Sequence, residues 1–194
     1  MKKLIVLTFV LVLTFIFAAC CTASDRVSET FFKMFAGDSY HMKTKIVDGG
    51  EEITMETYVK KGMTATTTKT QGETVRMIMR DNKMYMIDDS EKTVMVMPAS
   101  IQAQAGMGKT TAINTEKMRY VGSGTANFQG KNLPYDEYSI DGGSKSQFFV
   151  DGNKLAGIRN INGGNVTEVV ILALDQNVPD NVFQIPAEYT QISF

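Results

Sequence analysis

Methionine recurs at every second position in three short runs of this sequence: Met77 and Met79, Met84 and Met86, Met95 and Met97. Thioethers in that pattern suit two chemistries. They are soft ligands for copper(I), and they are unbranched, polarizable hydrophobes that repack around ligands of different shape. The copper reading lacks its usual helpers. The one histidine, His41, lies outside the runs, and the two cysteines, Cys20 and Cys21, are adjacent near the N-terminus. No metal and no cofactor is expected. The same shortage removes histidine-dependent zinc sites and Cys–His dyads, and His41 reads most simply as a strand residue. Asp88-Asp89 falls in a turn, where aspartate bonds locally. The glycine pairs at 49–50, 142–143 and 163–164 separate strand-like runs with no helix behind them to hold a phosphate. The chain is not expected to be an enzyme.

The elements that must position these methionines are strands, because a period of two puts alternate side chains on one face. Asp81-Asn82 is a two-residue connection of hairpin chemistry. It sets Arg80 opposite Lys83, Met79 opposite Met84 and Met77 opposite Met86. The loop at 89–92 pairs Asp88 with Thr93, which sets Met86 opposite Met95 and Met84 opposite Met97. Turns at Gln71-Gly72 and Lys61-Gly62 then add Thr64, Thr66, Met55, Thr57 and Val59 to the same face, still without a formal charge. The reverse face of the central strands carries Arg76, Ile78, Arg80, Lys83, Tyr85 and Ile87, and its mixed character predicts contact with water.

The same alternation runs through most of the chain. Strands are predicted at 39–47, 52–60, 63–70, 73–80, 83–88, 93–97, 118–127, 134–140, 144–151, 154–162 and 165–173, with a further one at 189–193 and a loop over 128–133. Spacings of about ten residues with glycine-rich turns describe an up-and-down antiparallel sheet. Residues 24–36 form a short amphipathic helix, capped by Ser24 or Asp25, with Val27, Phe31, Met34 and Phe35 on one stripe and Gly37 at its end. Pro98 opens an insert over 98–108 that suits a short helix or loop better than a strand.

The N-terminus states a compartment. Two lysines precede an apolar run from Leu4 to Ala19, the layout of a secretory signal peptide. Phe17-Ala18-Ala19-Cys20 resembles a bacterial lipobox with Phe17 in place of the usual leucine. Residues 1–19 are then a lipoprotein signal peptide and Cys20 the acylated residue. Ordinary cleavage, for instance after Ala23, would leave no lipid. Adjacent cysteines allow no long-range disulfide within the chain. Residues 20–194 suffice for a single domain with its own core. A net charge of -1 with scattered basic residues gives no nucleic-acid footprint.

The signal and lipobox, the helix before the first strand, the meander, the stretch RDNKMYMIDDSEKTVMVMPA leading into an insert and the ending VFQIPAEY together resemble the LolA/LolB-like superfamily of bacterial envelope lipoproteins and lipoprotein carriers. The resemblance implies a mainly β fold with a small α part. Its single strongly curved antiparallel sheet of about 11 strands forms an incomplete barrel, with helices covering an open, hydrophobic cavity. On this sequence the concave face corresponds to Met55, Met77, Met79, Met84, Met86, Met95 and Met97, and Ile101 and Met107 belong to a helical lid. The implied function is non-catalytic binding of a hydrophobic ligand, a lipid or the acyl chains of another lipoprotein. The protein would be exported and held in the bacterial cell envelope by its acyl anchor, on the periplasmic or outer-membrane side. The alternative is a sensor or scaffold lipoprotein that uses the same domain to bind an envelope protein.

Overall fold

The structure is a computed structural model, and it describes residues 26–48, 51–100, 118–140 and 143–193. One meander comprises β1 (Ser39–Asp48), β2 (Glu51–Lys60), β3 (Met63–Lys69), β4 (Thr74–Arg80), β5 (Lys83–Asp88) and β6 (Thr93–Pro98). A second comprises β7 (Arg119–Phe128), β8 (Lys131–Ile140), β9 (Ser144–Asp151), β10 (Lys154–Asn162) and β11 (Asn165–Asp175). The two join where β1 pairs antiparallel with β11. A short β12 (Thr190–Ser193) then adds parallel to β6, so one curved sheet runs β12-β6-β5-β4-β3-β2-β1-β11-β10-β9-β8-β7. It does not close, and β12 and β7 are its edges.

The turn chemistry accounts for the register. Asp81 and Asn82 have φ of 51° and 58°, the positive values that a two-residue hairpin turn requires at both positions. Short polar side chains tolerate them. Arg80 consequently pairs with Lys83. Gln129 and Gly130 form a turn of the same kind, with φ of 52° and 81°. This corrects the loop predicted over 128–133: β7 runs on to Phe128 and β8 starts at Lys131. Pro134 is tolerated inside β8 because it sits just outside the pairing with β9, which begins at Tyr135.

The helix α1 (Glu29–Phe35) is shorter than predicted and starts after Ser28, which occupies the N-cap. Ser24 and Asp25 lie outside the described residues. Phe31 and Phe35 are buried as expected, but Val27 precedes the helix and is 38 % exposed. Phe32 packs instead, edge-on against Tyr138 and Phe148 with ring centroids 4.7 and 4.9 Å away. α1 thereby covers Tyr40, Met42, Tyr138, Phe148, Val150, Leu155 and Ile158 on one face of the sheet. The insert expected as a lid lies outside the described residues beyond Ser100. Among the described residues no helix is long and apolar enough to cross a membrane.

The opposite face of β3–β6 is not the watery surface its sequence suggests. Ile78, Tyr85, Ile87, Val94 and Val96 are all buried there, packed with Val178 and Phe183. The cover is the chain end at 178–189, with a 3-10 turn over Asp180–Phe183. Its backbone is tied down by charges expected to face solvent. Arg80 donates to the Phe183 carbonyl at 3.1 Å, and Lys60 donates to the Val178 carbonyl at 3.2 Å and to Asp180 at 2.7 Å. Long cationic side chains bury their stems and keep their heads at the margin. A strand face alternating Arg, Ile, Arg can therefore still be core.

Candidate functional site

Cross-strand pairing assembles the methionines as the hairpin arithmetic predicts. Met79 lies opposite Met84 and Met77 opposite Met86; Met84 lies opposite Met97 and Met86 opposite Met95. Following the pairs outward gives two rows across six strands. One runs Met42, Thr57, Thr66, Met77, Met86, Met95, and the other runs Tyr40, Val59, Thr64, Met79, Met84, Met97. A third, shorter row holds Thr44, Met55, Thr68 and Val75. None of these side chains carries a formal charge. This is the face that α1 covers further along the sheet, since Tyr40 and Met42 belong to the cluster beneath it.

Burial is graded along this face. Met84 is fully buried at 0 % exposure, while Met95 at the far end of its row is 36 % exposed. Met55, Met77, Met79, Met86 and Met97 are half-buried. Ile101, Met107 and Cys20 lie outside the described residues. At the exposed end the face opens into a groove of about 660 Å³ lined by Val75, Met86, Ile87, Met95 and Ile192 together with Glu73, Asp88 and Asp89. That volume is in the range of small-molecule sites. Two of these acids, Asp88 and Asp89, are already engaged. Asp88 accepts from the Ser90 hydroxyl at 2.6 Å and from the backbone N–H groups of Ser90 and Glu91. These bonds, the Ser90 hydroxyl first, hold its carboxyl below the usual range. Asp89 accepts from Arg76 at 2.8 Å and from the Tyr189 hydroxyl at 3.0 Å.

Two features of these strands escape the sequence. Met42 and Tyr40 extend it onto β1, because Asp48 pairs with Glu51 and leaves a connection of two residues. The predicted strands at 39–47 and 52–60 leave that register open. The second feature is on the reverse face. His41 pairs with Tyr58 and Asp175 in register and stacks on the Tyr58 ring at 4.4 Å. Its two ring nitrogens lie 3.0 Å from Glu56 Oε1 and 3.1 Å from Asp175 Oδ2. The cluster ties β1 to both neighbours at the seam of the two meanders. Burial pushes the Glu56 carboxyl up, but hydrogen bonds from His41 and Tyr58 and the Lys43 charge bring it below its ordinary value. The placement of His41 on the face opposite the ladder also keeps its imidazole away from the thioethers. Among the described residues no group of three or more His, Cys, Asp or Glu side chains is placed to hold a metal ion.

The chain matches no family model and no curated protein sequence. Solved structures do match. An uncharacterized conserved protein from Thermus thermophilus aligns over 88 % of this chain and 96 % of its own, with a TM-score of 0.53 at 8 % identity. LprF from Mycobacterium bovis aligns over 84 % of this chain and 95 % of its own, with a TM-score of 0.45 at 11 % identity. A LolA superfamily protein from Nitrosomonas europaea aligns over 83 % of this chain and 98 % of its own, with a TM-score of 0.38 at 10 % identity. At 8 % identity the Thermus protein shares the fold, and the fold alone.

Proposed function

We propose that this protein is an envelope lipoprotein that binds a hydrophobic ligand, a lipid or the acyl chains of another lipoprotein, on its methionine face. The observation that carries the reading is the pair of uncharged rows from β1 to β6, ending in a groove where Met86 and Met95 are accessible. A rigid apolar core favours branched side chains with few rotamers, whereas methionine suits a surface that must repack. The binding step is desolvation of the chains, contributing roughly 0.8 kcal/mol per buried methylene. Met55, Met77, Met79, Met84, Met86, Met95 and Met97 form the floor, and Ile101 and Met107 of the insert close over it. Acylation of Cys20 after removal of residues 1–19 holds the domain at the membrane from which such a ligand comes.

Native mass spectrometry of residues 20–194, produced without the anchor in a bacterial host, tests this. Copurified lipid that is lost in the Met79→Asp, Met86→Asp double variant supports the carrier reading, and its mass names the ligand class. An apoprotein that takes up no added lipid sinks it, and the domain is then a module for an envelope protein partner.

A further inference from the structure

The described chain begins at one corner of the sheet, and that corner has an unusual surface. The Arg26 guanidinium lies 4.5 Å above the Tyr120 ring. Beside it Val27 is 38 %, Tyr120 36 % and Val121 52 % exposed. Val121 is the extra residue of a bulge between Tyr120 and Gly122 in the edge strand β7, so it has no partner on β8. A cross-strand row from Val166 through Ile161, Lys145 and Ser139 to Arg119 brings one more exposed valine to the same rim. Arg26 and Arg119 are exposed and have no carboxylate partner among the described residues.

We infer that this corner docks on the surface of an anionic phospholipid bilayer. The inference rests on the anchored reading above. Five residues, 21–25, separate Cys20 from Arg26, so the acylated cysteine reaches at most about 20 Å from the corner. Whatever the rest of the domain does, this part stays within reach of the headgroups. Exposed valines, a tyrosine and two arginines with no carboxylate partner among the described residues match the chemistry there: apolar side chains enter the interface, the phenol sits at headgroup level and guanidinium pairs with phosphate. Alternation of strand direction puts the β3–β4 and β5–β6 connections, which frame the methionine groove, on the same rim as the start of β7.

The chain contains no tryptophan, so one introduced indole reports one place. The lipidated protein carrying Val121→Trp is reconstituted on phosphatidylethanolamine–phosphatidylglycerol vesicles. A second sample carries Lys154→Trp, at the opposite end of β10. The expected result is a blue-shifted Val121→Trp emission quenched by brominated lipid, with Lys154→Trp unaffected. Adding Arg26→Ser and Arg119→Ser to Val121→Trp is expected to reverse the shift. A Val121→Trp indole that stays in water while the chain co-sediments with the vesicles overturns the inference and leaves the corner to a protein partner. Equal quenching at both positions overturns it too. Failure of the chain to co-sediment at all overturns the anchor instead, which Cys20→Ala fractionation checks separately.

Discussion

The carboxylate of Asp136 accepts hydrogen bonds from both the backbone N–H and the hydroxyl of Ser28, each at 2.8 Å and across 108 positions of sequence. Both residues are fully buried. The Ser28 hydroxyl, which would ordinarily cap its own helix, is turned to the sheet, where Tyr138 also reaches it at 2.9 Å. Ser123 satisfies the other carboxylate oxygen at 2.5 Å. A helix of seven residues is too short to persist alone, so α1 depends on this anchor and on Phe31, Phe32 and Phe35 beneath it.

Removing the carboxylate strands both Ser28 donors in a dry site and frees the exposed Ser123 hydroxyl. Asp136→Ala is expected to cost about 3 kcal/mol, and Ser28→Ala about 1–2 kcal/mol, in urea unfolding. The double variant should cost clearly less than the sum, because each single change already breaks the shared bonds. Strict additivity would mean that the two residues act independently.

The graded burial along the ladder separates packing from binding. Met84→Ala opens a cavity at a site with no exposure and is expected to cost about 2–4 kcal/mol. Met95→Ala, at 36 % exposure, should stay within about 1 kcal/mol of the parent. Lipid retention by native mass spectrometry should nevertheless fall in both. A Met95→Ala protein with unchanged retention would place the ligand away from the groove.

Strand positions and the central register are legible in the sequence because period-two patterning and hairpin turns are local signals. Asp81-Asn82 alone decides two methionine pairings, and the loop at 89–92 decides two more. What stays hidden is every contact made across the chain. Nothing near Ile78 or Tyr85 says that residues 178–189 return to cover them, so charged neighbours such as Arg80 suggest water. Nothing near His41 announces Asp175, which arrives only when β1 joins β11. Asp136 looks like one more polar strand residue, and its partner Ser28 lies in a segment whose capping chemistry points to an earlier helix start. Local chemistry writes the strands; the return paths of the chain decide which face is dry.

Close packing on the second meander gives a sharper mutational test. Phe128 stacks on Phe149 with centroids 4.6 Å apart, and Gly157 lies beneath the Phe128 ring. A Cβ at position 157 would fall on that ring and come within 2.6 Å of the Val169 carbonyl oxygen. Gly157→Ala is therefore expected to cost about 1–3 kcal/mol despite adding one methyl group. Phe128→Leu in the same background should recover part of the loss in thermal unfolding, since it withdraws the ring edge. No recovery would assign the strain to the Val169 backbone.

The seam between the meanders should be sensitive to acid. Burial pushes the Asp175 carboxyl up, but the Asn177 N–H and His41 outweigh it and hold it below 3.8, just as Glu56 is held below 4.5. A carboxylate with a lowered folded pKa adds stability that is present above its unfolded pKa and lost as the pH falls through the folded one. The wild type should thus hold its stability down to about pH 4.5 and lose this part of it below, as both groups take up protons. Glu56→Gln with Asp175→Asn should be less stable at pH 7 and show a flatter acid limb, because the groups that bind those protons are gone. Urea midpoints measured from about pH 7 to about pH 2 read both effects. Parallel curves for the two proteins would mean that the His41 cluster contributes nothing to the joining of β1 with β11.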